Sequence, residues 1–247
     1  MQVENAQVSL IGARETNQDR VGIEVGQQAV LAVVCDGMGG HSDGERAAVI
    51  GERVFRERFR EAPKPLLDPM GFLHLSLGEA HTRVVEFGGE VPYEVRPRAT
   101  CAACLLQDGA AYWAHAGDSR VYHFRAGRLV RRTRDHSHVE LLLREGLIAA
   151  DEIHGHPMRN FVESCIGGEP LIPEMSVGLR EPLLPGDCIM LCSDGLWSQV
   201  PDDDLARILG NPQVPLAAGL TALAERAVQT AGAGADNTSA VAVRYLG

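Results

Sequence analysis

The chain has 247 residues, of which 45% are hydrophobic, so it is long enough to bury a substantial core. Its 33 acidic residues outnumber its 23 basic residues and give a net charge of −10. This charge disfavours general binding to nucleic acid or to a membrane surface, because both need an excess of Lys and Arg.

The first third of the chain alternates strand-like segments with turns and then becomes helical. Apolar patterning predicts strands at 6–11, 21–25 and 29–35, and the glycine-rich segment DGMGGHSDG predicts a turn after the third of them. Two helices follow in the prediction, at 45–61 and 71–87, with a proline-rich break between them. The order is therefore three strands followed by two long helices.

The middle of the chain changes to short apolar runs that are broken by QDG and RAG. These runs predict two hairpins of an antiparallel sheet between Ala99 and Arg134, which indicates an α+β fold. Ser137 and Glu140 form a capping-box pattern that opens a helix through Leu147. Residues 135–174 otherwise show little periodicity, and we interpret them as a flap.

The last third returns to regular elements. It predicts strands at 175–179 and 187–193, helices at 202–209 and 216–230, and a closing strand at 238–245. Because no internal repeat or low-complexity linker divides the sequence, residues 1–247 are expected to form a single domain. Because the first residues are polar and the sequence has no apolar run of about 20 residues, we expect a cytoplasmic protein with no membrane partner.

The six cysteines are expected to be buried thiols rather than a disulfide or zinc framework. Cys101 and Cys104 lie three apart on a predicted strand and so face opposite ways, which prevents them from clamping one metal. Cys188 and Cys192 share a face but lie about 13 Å apart along a strand, which is too far to bridge.

Four aspartates lie beside predicted apolar strands. Asp36, Asp118 and Asp194 follow such strands, and Asp236 precedes the last one. A single Asp-Gly pair is ordinary turn chemistry, but four carboxylates that converge at one rim of a sheet repel one another unless a cation neutralises them. Hard oxygen ligands favour Mg²⁺ or Mn²⁺, and Gly37 leaves room for its carbonyl beside such a metal.

These residues belong to six motifs that resemble, in order, the metal-dependent Ser/Thr protein phosphatases of the PP2C (PPM) type in their compact bacterial form. The motifs are RETNQD, DGMGGHSDGE, AHAGDSRVY, TRDHSHVELLLREGLI, LCSDGLW and GADNTSAVAV. The resemblance spans almost the whole chain. It implies a four-layer α-β-β-α sandwich with two packed antiparallel β-sheets and a flap subdomain.

The resemblance also implies a role for each matching residue. Asp36 would bridge two Mn²⁺ or Mg²⁺ ions with help from the Gly37 carbonyl, and Asp194 and Asp236 would complete the site. By the same resemblance, Asp118 together with Asp194 would hold a weaker third metal, and Arg14 would bind the substrate phosphate. Asn237 would lie beside the site, and Asp19 would lie behind the metal ligands.

The implied reaction is hydrolysis of phosphoserine and phosphothreonine on proteins. Two metals about 3.5–4 Å apart would acidify a bridging water to hydroxide, which attacks phosphorus in line. The implied partners are a cognate Ser/Thr kinase and its substrates, and the protein is expected to act as a monomer. Two alternatives stay open: a catalytically weak binding module of the same fold, and a regulatory phosphatase dedicated to one substrate, such as an anti-sigma antagonist or a secretion-system component.

Two positions depart from the family's pattern. Met38 stands where animal members have a histidine proposed as general acid, and a methionine cannot donate a proton, so His41 is the nearby candidate. Gln18 stands where many members have glutamate.

The segment between Arg120 and Arg134 contains six arginines. It predicts either a docking surface for an acidic partner or the solvated face of a hairpin.

Overall fold

The computed structural model describes residues 1–38, 42–89, 91–149 and 151–247. Within these residues the strands are β1 (Val3–Leu10), β2 (Asp19–Val25), β3 (Ala29–Met38), β4 (Arg98–Ala99), β5 (Cys101–Gln107), β6 (Ala110–Ala116), β7 (Arg120–Arg125), β8 (Arg128–Arg132), β9 (Ile166–Gly167), β10 (Ser176–Val177), β11 (Glu181–Pro182), β12 (Cys188–Cys192) and β13 (Thr238–Tyr245). The helices are α1 (Ser42–Glu61), α2 (Pro69–Phe87), α3 (His138–Arg144), α4 (Asp194–Trp197), α5 (Asp202–Leu209) and α6 (Leu216–Ala231).

The strands form two antiparallel sheets. The five-stranded sheet has the order β1-β13-β12-β7-β8. The eight-stranded sheet follows β10-β6-β5-β3-β4-β9, with β2 paired to β3 and β11 paired to β6. Helices cover the outer face of each sheet, so the four-layer α-β-β-α arrangement implied by the resemblance is confirmed.

Strand β3 shows why the central strands read as unbroken apolar runs. Val30, Ala32 and Val34 face the other sheet and pack in one cluster with side chains of β12 and β13. Leu31 and Val33 face the opposite way and pack against α1 and α2. Because both faces of the strand are buried, a polar residue would be costly on either side.

The second outer layer is built on β12 and β13. Met190 and Ala242 pack against apolar side chains of α5 and α6, such as Leu205 and Leu220. None of the described helices is both long and apolar enough to cross a membrane.

Several predicted boundaries are wrong by a few residues, and three of them have a clear physical reason. The predicted third strand ended at residue 35, but β3 continues to Met38 because Gly37 and Met38 pair with β4. The helix predicted from 45 begins at Ser42, since Asp43 and Glu45 place acidic side chains in its first turn. The first strand begins at Val3 rather than residue 6, because β1 pairs with β13 along its whole length.

The two predicted hairpins are present, and both turn in the left-handed backbone region. The turn between β5 and β6 has φ of 51° at Asp108 and 63° at Gly109. The turn between β7 and β8 has φ of 49° at Ala126 and 74° at Gly127. Two-residue turns of this kind match the natural twist of antiparallel strands.

All six cysteines are free thiols, and only Cys165 among them is partly exposed. Cys101 belongs to the cluster under α1 and α2, whereas Cys104 belongs to the cluster between the sheets, as expected for residues on opposite faces of one strand. Cys188 and Cys192 share the outer face of the smaller sheet.

Candidate active site

A cleft of about 520 Å³ lies where the two sheets meet, and nearly all the predicted site residues line it. Asp36 comes from β3 of the larger sheet, whereas Asp194 and Asp236 lie beside β12 and β13 of the smaller one. The predicted residues on its wall are Arg14, Asp36, Gly37, Asp118, Asp194, Asp236 and Asn237. Residues more than 200 positions apart in sequence are thus brought to one place.

Carboxylates crowd this cleft and disfavour one another's charge. Burial, with added repulsion from neighbouring aspartates, raises the pKa of Asp36 and of Asp194 well above the usual value. Burial also raises the pKa of Asp118 to about 7. Such a cluster holds excess negative charge that a cation would relieve.

Asp19 lies directly behind this cluster, outside the cleft wall. It faces Asp36 across the β2–β3 ladder, and its Oδ2 accepts a 2.7 Å hydrogen bond from the Ser193 hydroxyl. Its other oxygen, Oδ1, is buried without a hydrogen-bond partner in the described part of the chain. Burial raises the pKa of Asp19 to about 6.

The donor set fits a divalent cation. All its oxygens are hard ligands of the kind that Mg²⁺ and Mn²⁺ prefer, and the partnerless oxygen of Asp19 fits a hydrated ion nearby. Among the described residues, no three His, Cys, Asp or Glu side chains are already drawn together tightly enough to hold one ion. The aspartates instead share the wall of one cleft.

Arg14 stands at the mouth of the cleft and is paired with Asp236. Its Nε donates to Asp236 Oδ1 at 2.9 Å, and one of its terminal nitrogens donates to Oδ2 at 2.7 Å. The Arg14 side chain is 58% exposed, so this fork can also reach a ligand in the cleft.

Asn237 holds the loop that carries Arg14. Its Oδ1 accepts from the Gln18 backbone nitrogen at 2.8 Å, and its Nδ2 donates to the backbone oxygens of Ile11 and Thr16 at 2.9 and 3.0 Å. The amide therefore ties residues 11–18 to the start of β13. Asn237 is 6% exposed, so water cannot replace these bonds in the folded state.

Replacing Asn237 with alanine is expected to lower the free energy of unfolding by about 2–3 kcal/mol, since each lost buried hydrogen bond contributes about 1 kcal/mol. Urea unfolding of both proteins measures the difference. The control is Asn211→Ala, which removes a side-chain hydrogen bond to the nearby exposed Gln213. A loss for Asn237→Ala no greater than that of the control would contradict the clamp.

Two glycines are needed because the backbone packs too closely for a side chain. A Cβ on Gly37 would lie 2.2 Å from the Gly44 carbonyl oxygen, so this glycine is required where β3 meets the first turn of α1. A Cβ on Gly12 would lie 2.3 Å from the Asp236 carbonyl oxygen, and its φ of +64° also favours glycine. The close packing of the chain around Gly37 therefore excludes a side chain at this position. This is a second reason for glycine, beside the room for a metal that the sequence suggested.

A network that the sequence did not reveal supports Asp118. The Trp197 indole nitrogen donates to the Asp118 carbonyl oxygen at 2.9 Å, and the Arg120 guanidinium lies 3.5 Å over the Trp197 ring. Arg120 in turn forms two hydrogen bonds, 2.8 and 2.7 Å long, with Asp135 at the start of the predicted flap. Sequence patterns could not reveal these contacts, because the partners of Trp197 lie tens of residues away along the chain.

The arginine-rich hairpin forms ion pairs within the chain. Besides Arg120 with Asp135, the pairs are Arg125 with Asp187, Arg131 with Glu181, and Arg132 with Asp202. These contacts hold β7 and β8 to neighbouring elements, which favours the hairpin interpretation over a docking surface.

His41, the candidate proton donor, lies outside the described residues, and Met38 lines the cleft.

Comparison with known proteins gives a consistent result. The family described as Protein phosphatase 2C matches residues 7–229. A putative protein phosphatase 2C-type of Streptococcus pyogenes is 30% identical over 205 residues, which cover 80% of each chain. The solved serine/threonine phosphatase of S. agalactiae superposes with a TM-score of 0.88 at 26% identity over 100% of both chains. The catalytic domain of the serine/threonine phosphatase PstP, solved with two manganese ions, gives 0.81 at 26% identity over 99% of both.

Proposed function

The chain belongs to the protein phosphatase 2C family and is a protein-serine/threonine phosphatase, and from that premise we propose how its own residues perform the reaction. Asp36, Asp194 and Asp236, with the carbonyl of Gly37, would hold two Mn²⁺ or Mg²⁺ ions. Asp118 and Asp194 would contribute to a weaker third site. The observation that supports this assignment is the set of carboxylates with raised pKa values facing one cleft.

When bound, the cations supply the Lewis acidity that makes water a nucleophile at neutral pH and the positive charge that offsets the charge on the phosphoryl oxygens. The water attacks phosphorus in line with the departing serine or threonine oxygen. Four carboxylates would repel a phosphate dianion, so a metal-free cleft of this composition is a poor phosphate site.

Arg14 binds the substrate phosphate. Its planar fork already engages two oxygens of Asp236, and two oxygens of a phosphoryl group present the same geometry. When Asp236 ligates a cation, fewer of its lone pairs would be available to Arg14, which would leave the guanidinium free to bind the substrate phosphate. Asn237 keeps the Arg14 loop in reach of both partners.

Residue 38 cannot protonate the leaving group, because a thioether has no acidic hydrogen. The departing alkoxide therefore takes its proton from another group or from water.

Asp19 supports Asp36 from behind, since the two residues face each other across the β2–β3 ladder, and Asp19 is held in turn by a hydrogen bond from Ser193.

The substrates are phosphoproteins, and we assign the phosphorylation that the enzyme reverses to a cognate Ser/Thr kinase. We also propose that the enzyme acts as a monomer and a single catalytic domain over 1–247, with the flap at about 135–174. The residues assigned to the reaction all belong to one chain, so the proposed chemistry does not require a second copy.

The test is phosphate release from three matched peptides that carry phosphothreonine, phosphoserine or phosphotyrosine, with Mn²⁺ or Mg²⁺ present. The proposed function predicts turnover of the first two peptides. No release from either by the folded, metal-loaded protein would contradict it, and so would hydrolysis of the phosphotyrosine peptide alone.

A further inference from the structure

A second cavity, of about 760 Å³, lies next to the catalytic cleft. We call it the flap cavity; its walls include Leu141, Phe161, Leu171, Ile172 and Pro173. This volume is in the range of sites that bind small ligands or peptide side chains. None of the residues assigned to the reaction lines it.

The flap cavity adjoins the site of the reaction. Val162 lines both the flap cavity and the catalytic cleft, which also has Arg14 and Asp36 on its wall. A protein substrate whose phosphoryl group reaches Arg14 has to continue in both chain directions out of the cleft. A segment that leaves the cleft on the side of Val162 meets the flap cavity.

Large apolar side chains on the wall of the flap cavity are exposed to solvent. Leu171 and Ile172 are each 75% exposed, and Phe161 is 50% exposed. Phe161 is held in place by an edge-on contact with the His138 ring at 6.0 Å. Adjacent large apolar side chains that remain in water beside a functional cleft indicate a contact surface, since burying them on a partner is favourable.

Several polar side chains of the wall are hydrogen-bonded within the chain. His138 Nδ1 is 2.7 Å from Glu163 Oε1, and the His136 ring is hydrogen-bonded to the Ser176 hydroxyl at 2.9 Å. The Ser164 hydroxyl donates to the Glu174 carbonyl oxygen at 2.9 Å. Charged side chains of both signs line the walls, so neither sign of charge is selected. The exposed apolar side chains are the part of the wall on which burial of an apolar ligand group is favourable.

We propose that the flap cavity binds a bulky apolar side chain of the substrate, close in sequence to the phosphorylated residue, against Phe161, Leu171 and Ile172. The inference rests on the proposed function, because the occupant is the polypeptide whose phosphoryl group enters the catalytic cleft. These side chains determine which phosphoproteins are preferred and take no part in the chemistry. A small substrate such as para-nitrophenyl phosphate reaches the catalytic cleft alone.

The test uses the full chain with Mn²⁺ and a set of phosphothreonine peptides. Each peptide carries one leucine at one of the three positions on either side of the phosphothreonine, in an otherwise serine and alanine background. For the wild type, kcat/KM is expected to be about tenfold higher for leucine at one position than for the peptide without leucine, mostly through a lower KM, as is usual for an apolar pocket.

The double variant Leu171→Ser with Ile172→Ser is expected to reduce this preference to within about twofold and to leave para-nitrophenyl phosphate turnover unchanged. Both residues are exposed, so the fold does not depend on them. The matched control is Leu67→Ser, a fully exposed leucine in the connection between α1 and α2. It is expected to keep the wild-type preference.

Equal rates on all peptides for the wild type, or an unchanged leucine preference in the double variant, would overturn the flap-cavity proposal while the phosphatase assignment stands. An equal loss on leucine and leucine-free peptides would overturn it as well. Absence of para-nitrophenyl phosphate turnover by the wild type would instead contradict the proposed function, and with it this inference.

Discussion

Replacing Asp36 with asparagine is expected to lower phosphatase kcat by about a thousandfold or more, because Asp36 is proposed to hold the cations, and these would supply several kcal/mol of transition-state stabilisation. Asparagine has the same shape but only one oxygen and no charge. The measurement is the steady-state rate on a phosphothreonine peptide with saturating Mn²⁺. The control is Asp108→Asn at the exposed turn between β5 and β6, which is expected to keep the wild-type rate.

The same substitution should leave the metal-free protein folded and more stable than the wild type. The Asp36 carboxylate is disfavoured by burial and by the neighbouring aspartates, which raise its pKa, and an amide removes that cost. Thermal melting in a chelator measures this. A rate within about tenfold of the wild type would contradict the assignment of Asp36, and a variant that does not fold would contradict the electrostatic argument.

The second large effect is a loss of stability of the chelated protein as pH rises from 6.5 to 8. A carboxyl group whose pKa is raised by folding binds its proton more tightly in the folded chain than in the unfolded chain. Its ionisation as pH rises through the folded-state pKa therefore removes stability. Asp118, with a pKa of about 7, titrates in this window, and the raised pKa values of Asp36 and Asp194 act in the same direction.

This window avoids an opposing contribution from three histidines whose pKa is lowered by burial. The pKa of His115 is lowered to about 4, and those of His81 and His136 are lowered as well, so all three favour the folded state more as pH rises toward 6.5. Above 6.5 the aspartates dominate. A loss of about 2 kcal/mol lowers the melting temperature of a chain of this size by about 4–8 °C.

Thermal melting at pH 6.5, 7.25 and 8 checks this expectation, with a chelator in one series and saturating Mn²⁺ in the other. The metal binds only the folded state and should remove the decline. Asp36→Asn is expected to show a shallower decline in the chelator. A melting temperature that stays constant or increases with pH in the chelated wild type would contradict the account.

Much of the fold could be predicted from the sequence because the signals are local. The run from Ala29 to Cys35 is apolar at every position, and a strand buried on both faces is the structure that such a run forms. The turns at Asp108 and Gly127 also contain the residue types that short hairpin turns favour. Boundaries were less certain because pairing decides them: Gly37 and Met38 join β3 only through β4, whose residues lie about 60 positions further on.

The candidate site divides in the same way. Asp36, Asp194 and Asp236 were found because each adjoins an apolar strand, and a position beside a strand is visible in sequence. The contacts of the Trp197 ring with the Asp118 carbonyl oxygen and the Arg120 guanidinium could not be predicted in this way. They join groups that lie 77 to 79 positions apart and depend on how α4 meets the loop after β6. The flap cavity was not predicted, because its wall combines α3 with segments around Phe161 and Leu171 that show no periodic pattern, and only the fold brings them together.

The most direct test of the account is to remove metal from the wild-type protein with a chelator and to measure phosphate release from a phosphothreonine peptide as Mn²⁺ is added back. No phosphate release is expected without metal, and the rate of release is expected to rise to a plateau as Mn²⁺ occupies the aspartate cleft. Turnover that persists in the chelator, or a metal-loaded folded protein that releases no phosphate, would contradict it.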